Sequence, residues 1–128
     1  MAGAFDNIHP GLSQDEAIRL LLMPVEELES QSDPYMAAAH LINFPGKATE
    51  KALLALVLDT DQSQPRRLAR RKAVDVLGRL GCGEATSAIG ACLSSDDPYL
   101  VENAAFALQL LNCRIPALHR QMIQLLQD

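Results

Sequence analysis

The chain has 128 residues, 48% hydrophobic and 21% charged, enough for one core without disulfide or metal staples. A formal net charge of −5 and a pI near 5.1 exclude a global electrostatic drive toward nucleic acid or anionic lipid. No apolar run approaches the roughly 20 residues that span a bilayer, and MAGAFDNIHPG lacks the basic and apolar parts of a secretion signal, so a cytoplasmic protein without membrane insertion is expected.

Residues 1–11 are expected to be flexible. Ser13 and Glu16 then stand at capping-box spacing and open a first helix, which Pro24 ends. Glu26, Glu27 and Glu29 read as a solvated turn. Asp33-Pro34 offers a cap followed by proline at the first helical position, and Pro45-Gly46 closes that segment. Pro65 opens a further helix, Gly81-Cys82-Gly83 ends it, Asp97-Pro98 starts the next, and Pro116 another. Apolar residues recur at helical spacing and no stretch alternates, so the fold class is all-α.

The segments repeat. A shift of 36 residues lays AAAHLINF (37–44) on AVDVLGRL (73–80), matching Ala37 to Ala73 and Leu41 to Leu77, and lays Ala52, Leu53 and Ala55 on Ala88, Ile89 and Ala91. A shift of 31 lays Ala73, Leu77 and Leu80 on Ala104, Leu108 and Leu111. Paired helices at a period in the thirties predict one domain over 1–128, a short α-solenoid of about three HEAT-like hairpins (33–58, 65–94 and 97–127) with an extra N-terminal helix. Stacked hairpins present a long surface without an enclosed active site, which implies binding of another macromolecule.

The densest charge lies in PRRLARRK (65–72), which with Arg79 holds six of the eleven basic residues. On a helical wheel Ala69, Ala73, Val76, Leu77 and Leu80 form the buried stripe, Arg67 and Arg71 point away from it, and Arg70 and Lys72 flank it. One reading is a solvated face with ion pairs, Asp75 being one turn from Arg71. The other is an anion site at Arg67, Arg70, Arg71 and Lys72 for carboxylates or an acidic partner.

No catalytic motif stands out. The three cysteines lack close spacing; Cys82 and Cys113 fall at equivalent turns of successive repeats, too far apart for a disulfide, and Cys92 reads as a small core residue. His9, His40 and His119 have no metal-ligand spacing, and His40, aligned with Val76, reads as a packed histidine. No catalytic residue and no metal site are expected.

The helix in DDPYLVENAAFALQLL (96–111) is apolar on two faces. Leu100, Val101, Ala104, Ala107, Leu108 and Leu111 form the stripe expected of the repeat. Tyr99, Phe106 and Leu110, with Asn103 beside them, lie opposite, at positions that the preceding repeat fills with Leu68, Asp75 and Arg79. These four residues are a candidate contact for a partner or a second copy. The alternative is cover by a last helix carrying Leu118, Met122, Leu125 and Leu126.

DPYMAAAHLINFP (33–45), RRLARRKAVDVLGRLG (66–81) and DDPYLVENAAFAL (96–108) resemble the HEAT-like cyanobacterial proteins grouped with the E/F-type phycobilin lyases. The resemblance covers roughly residues 12–111. It implies handling of linear tetrapyrroles such as phycocyanobilin, held non-covalently and presented to a cysteine of a phycobiliprotein client. Arg70, Arg71 or Lys72 would then suit the bilin propionates, and Tyr99 would pack on a pyrrole ring. Partners implied are a phycobiliprotein or a second HEAT subunit, in phycobilisome assembly or turnover; an adaptor that kept only the scaffold is the alternative. Family members carry five or more repeats, so the chain is expected to be a shortened relative whose apolar end marks where more would stack.

Overall fold

The computed structural model describes residues 11–112, and every regular element among them is helical. Six α-helices follow in order: α1 (Gln14–Leu22), α2 (Asp33–His40), α3 (Lys47–Leu58), α4 (Gln64–Leu80), α5 (Thr86–Ala91) and α6 (Pro98–Asn112). Single 3-10 turns at Val25–Glu27, Leu41–Asn43, Gly83–Ala85 and Cys92–Ser94 tighten the connections.

Local chemistry accounts for most ends. Before α1 the Ser13 hydroxyl accepts from the Glu16 N–H at 3.1 Å while the Glu16 carboxylate accepts from the Ser13 N–H at 3.0 Å, completing the capping box. Asp97 caps α6, its Oδ1 accepting from the Tyr99 N–H at 3.1 Å. Asp33 differs from the expected cap: Ser32 occupies that position without a side-chain bond, and Asp33 lies inside the first turn, where a carboxylate still meets the positive end of the helix. Gly81 ends α4 in the left-handed region at φ 74°, and the Cys82 and Gly81 N–H groups return to the Leu77 and Gly78 carbonyls, a Schellman closure.

The helices form two layers of a short solenoid. α2, α4 and α6 stack side by side in one, α1, α3 and α5 in the other, and α1 packs on α2, α3 on α4 and α5 on α6. Leu21, Leu41, Leu53, Leu56, Val74, Leu77, Ile89 and Leu111 fill the space between layers, all essentially sealed from solvent. Small residues set the spacing within the α2–α4–α6 layer: Ala37, Ala73, Ala104 and Ala107 are fully buried, and a Cβ built on Gly78 would stand 2.6 Å from the Ala107 Cβ. α4 and α6 are therefore in near backbone contact, which brings their outer edges together.

His40 is buried in α2, its Nε2 2.9 Å from the Leu12 carbonyl oxygen and its ring 5.4 Å from that of Phe44, as a packed histidine should be. Cys113, Pro116 and the expected last helix lie outside the described residues. None of the described helices is long and apolar enough to cross a membrane.

Candidate functional site

The basic run on α4 divides by helical spacing. Arg66 and Arg70, one turn apart, share one edge and are 9% and 5% exposed. The Arg70 guanidinium donates to the carbonyls of Leu56 (3.3 Å), Asp59 (2.7 Å) and Asp61 (2.9 Å), which end α3 and its following turn. Arg66 does the same at the end of α1, donating to the carbonyls of Leu22 (3.1 Å) and Met23 (3.2 Å), with the Asp59 carboxylate at 3.5 Å. Carbonyls at helix ends have no partner within the helix, and these guanidinium groups supply one. The Arg70 donors thus hold the backbone that ends α3 and its following turn. Arg67 is exposed and, with Arg70, lines a cleft beside Asp59, Gln62 and Asp96.

The opposite edge carries the remaining cations. Arg71 Nε donates to Asp97 Oδ2 at 2.8 Å, tying α4 to the cap of α6. Asp75, expected beside Arg71, instead accepts from Arg79 Nε at 3.0 Å and Lys72 Nζ at 3.5 Å. Each cation also covers an aromatic ring on a neighbouring helix. The Lys72 ammonium lies 5.6 Å from the Tyr35 ring centre on α2, while the guanidinium groups of Arg71 and Arg79 lie 4.7 Å and 5.4 Å from the Tyr99 and Phe106 ring centres on α6. All three distances fall within the roughly 6 Å reach of a cation–π contact.

These pairs line a groove of about 640 Å³ across α2, α4 and α6, completed by Leu68, Glu102 and Asn103. The basic run and the second apolar face of α6, separate features in the sequence, thus meet in one place. Phe106 and Tyr99 lie over the polar edge of α4, on the surface where their repeat equivalents Asp75 and Leu68 also stand. Tyr99 remains 63% exposed and Phe106 43%. Leu110, one turn further along α6, is half-buried and is not part of the lining.

The groove is rich in charge yet nearly neutral. Its lining holds three cations, Arg71, Lys72 and Arg79, and two carboxylates, Asp75 and Glu102, and Arg71 is paired with Asp97 outside the lining. Burial pushes the Asp97 carboxyl upward, but the hydrogen bond and charge of Arg71 and the Leu100 and Tyr99 N–H groups outweigh it, holding Asp97 below its ordinary value. Burial likewise raises the thiols of Cys82 and Cys92, which suits packed side chains and not nucleophiles. Among the described residues no three His, Cys, Asp or Glu side chains gather as a metal site would require.

No protein-family model matches the chain. It is 50% identical over 102 residues to the bilin biosynthesis protein CpeY of Synechococcus sp. (strain WH8020), a match covering 79% of this chain and 24% of that protein. It is also 36% identical over 115 residues to the uncharacterized phycocyanin operon protein Y of Pseudanabaena tenuis (strain PCC 7409), covering 90% of this chain and 27% of that protein. The chain belongs to the phycobilin lyase-related family. It spans about a quarter of the length of the curated relatives it matches.

For a member of the phycobilin lyase-related family, three of the four residues that the resemblance singled out, Arg71, Lys72 and Tyr99, stand together in the groove, and Arg70 does not. Tyr35, Asp75 and Arg79 complete the site and were not assigned to it from the sequence. A signal for Tyr35 was present, since α2 and α6 share an Asp-Pro-Tyr opening at 33–35 and 97–99. Arg79 follows Arg71 by eight residues, a little over two turns along the same edge, but only the packing of α6 gives that edge a second wall.

Proposed function

We propose that the chain is a HEAT-type bilin-handling module serving phycobilisome assembly or turnover, binding a linear tetrapyrrole, the phycobiliprotein that carries it, or both, through the α2–α4–α6 groove. One observation carries this reading: three aromatic rings, each paired with a cation, line a groove of about 640 Å³. That lies inside the roughly 300–1,000 Å³ typical of small-molecule sites. A linear tetrapyrrole offers flat conjugated rings and two propionates, and the groove answers with ring faces and guanidinium or ammonium donors. The family membership adds the bilin context. The chain would hold and present its cargo while the client's cysteine supplies the nucleophile.

The test is titration of the purified chain, alone and with a second solenoid subunit, with phycocyanobilin. Uptake should change the visible absorption of the chromophore, and an unchanged spectrum in both settings would sink the proposal.

A second reading is a non-enzymatic adaptor docking a protein on the same surface or associating with a second copy. Its support is that the groove cations already have carboxylate partners while Tyr99 and Phe106 stay open to solvent. Phe106→Asp should leave the helical circular dichroism intact and abolish co-purification of a phycobiliprotein, or self-association. Retained association would count against the adaptor.

A further inference from the structure

We propose that Arg79 is the exchangeable cation of the groove, the residue that turns from Asp75 to a carboxylate of the incoming ligand while Arg71 stays fixed. The inference deepens the tetrapyrrole reading above and rests on it. It names the ligand feature recognised: a carboxylate on a short chain beside a flat, apolar ring system.

The two guanidinium groups differ in what their departure would leave behind. Arg71 is held by Asp97, whose side chain is 8% exposed and whose other oxygen caps α6. Drawing Arg71 away would strand a buried carboxylate without a counter-charge, which is strongly unfavourable. Asp75 is placed otherwise. Its two oxygens face two cations, Arg79 at 3.0 Å and Lys72 at 3.5 Å, so when Arg79 leaves, Lys72 remains to compensate it. The Arg79 side chain is also half exposed, against 20% for Arg71, so it can swing without disturbing the core.

The same movement uncovers a binding face. The Arg79 guanidinium now lies over the Phe106 ring, and its rotation toward a carboxylate frees that ring for the flat part of the ligand. Asp75 thus acts as an internal competitor for Arg79, and removing its charge should strengthen carboxylate recognition.

The experiment compares phycocyanobilin with its uncharged dimethyl ester, by visible-absorption titration of wild type, Arg79→Gln and Asp75→Asn. The wild type should prefer the free acid by roughly three- to tenfold, a modest ratio for one partly solvated charged hydrogen bond. Arg79→Gln should abolish the preference and leave ester binding in place. Asp75→Asn should widen it, and this variant carries the test alone if Arg79→Gln does not fold. Undiminished preference in Arg79→Gln, or reduced preference in Asp75→Asn, overturns the role of Arg79 while the tetrapyrrole site stands. Equal binding of acid and ester by wild type overturns it too. Failure of both forms to bind wild type overturns the tetrapyrrole reading itself, and the inference with it.

Discussion

The two edges of α4 carry the same residue type to opposite ends. On one, Arg66 and Arg70 donate to five backbone carbonyls at the ends of α1 and α3 and are shut away from solvent. On the other, Arg71, Lys72 and Arg79 bond carboxylates, cover aromatic rings and line an open groove. Arg70 and Arg71 are adjacent in the chain, and one peptide step of about 100° around the helix separates a structural clamp from a surface group. A basic cluster in a solenoid repeat is therefore no measure of how much charge a ligand meets.

The largest test of this division is Arg70→Met. It removes three charge-assisted hydrogen bonds to backbone carbonyls and should cost about 3–5 kcal/mol in urea denaturation. If the loss were no greater than that of Arg71→Gln, the two edges would not differ as described.

Gly78→Ala probes what joins the α4 edge to its second wall. The added methyl would lie 2.6 Å from the Ala107 Cβ and 2.7 Å from its Cα, so α4 and α6 must part. Overpacking of about 1–3 kcal/mol is offset in part by the better helix propensity of alanine, leaving a net loss on the order of 1 kcal/mol. Weaker bilin uptake should accompany the lower thermal midpoint, because Arg71 and Arg79 face rings carried by α6.

Arg71→Gln should cost about 1–2 kcal/mol near neutral pH, and its signature is the pH dependence. Asp97 has a folded value below its unfolded one, so its contribution is complete above about pH 3.9 and is lost as pH falls through the folded value. Without Arg71 the folded value of Asp97 rises toward its unfolded one, so the stability that this group loses on acidification shrinks and the deficit of Arg71→Gln should narrow as pH falls. A deficit that stayed constant down to acid pH would mean that the pair does not govern Asp97.

The smallest effect is expected at Lys47 and Glu84, an ion pair between α3 and the turn before α5. Both side chains are largely exposed. Lys47→Ala should leave thermal unfolding unchanged within error, in contrast to the part-buried Arg71 pair.

Much of the scaffold was legible in the sequence because its determinants are local. The capping box at Ser13, the Asp97 cap, the Gly81 stop and the apolar stripe through Ala69, Ala73 and Leu77 depend on residues within two or three turns of one another. Asp33 was misjudged as a cap by one residue, Ser32 and Asp33 offering equivalent chemistry at adjacent positions. The groove was legible only in halves. Helical spacing indicated which side of α4 holds Arg71 and which side of α6 holds Tyr99 and Phe106, but it carried no information on which helix faces that side.

The sequence by itself determined the helices, their order, the repeat that stacks them and the likeness to a family, since periodicity, capping and identity are properties of the linear chain. Tertiary structure alone decided that Arg70 closes the end of α3, that Arg71 belongs to Asp97 and not Asp75, and that Arg79 covers Phe106. The physical reason is distance. Flexible basic side chains reach whichever carbonyl, carboxylate or ring the neighbouring helix brings within a few ångströms, and the contact of Gly78 with Ala107 sets that neighbour's position.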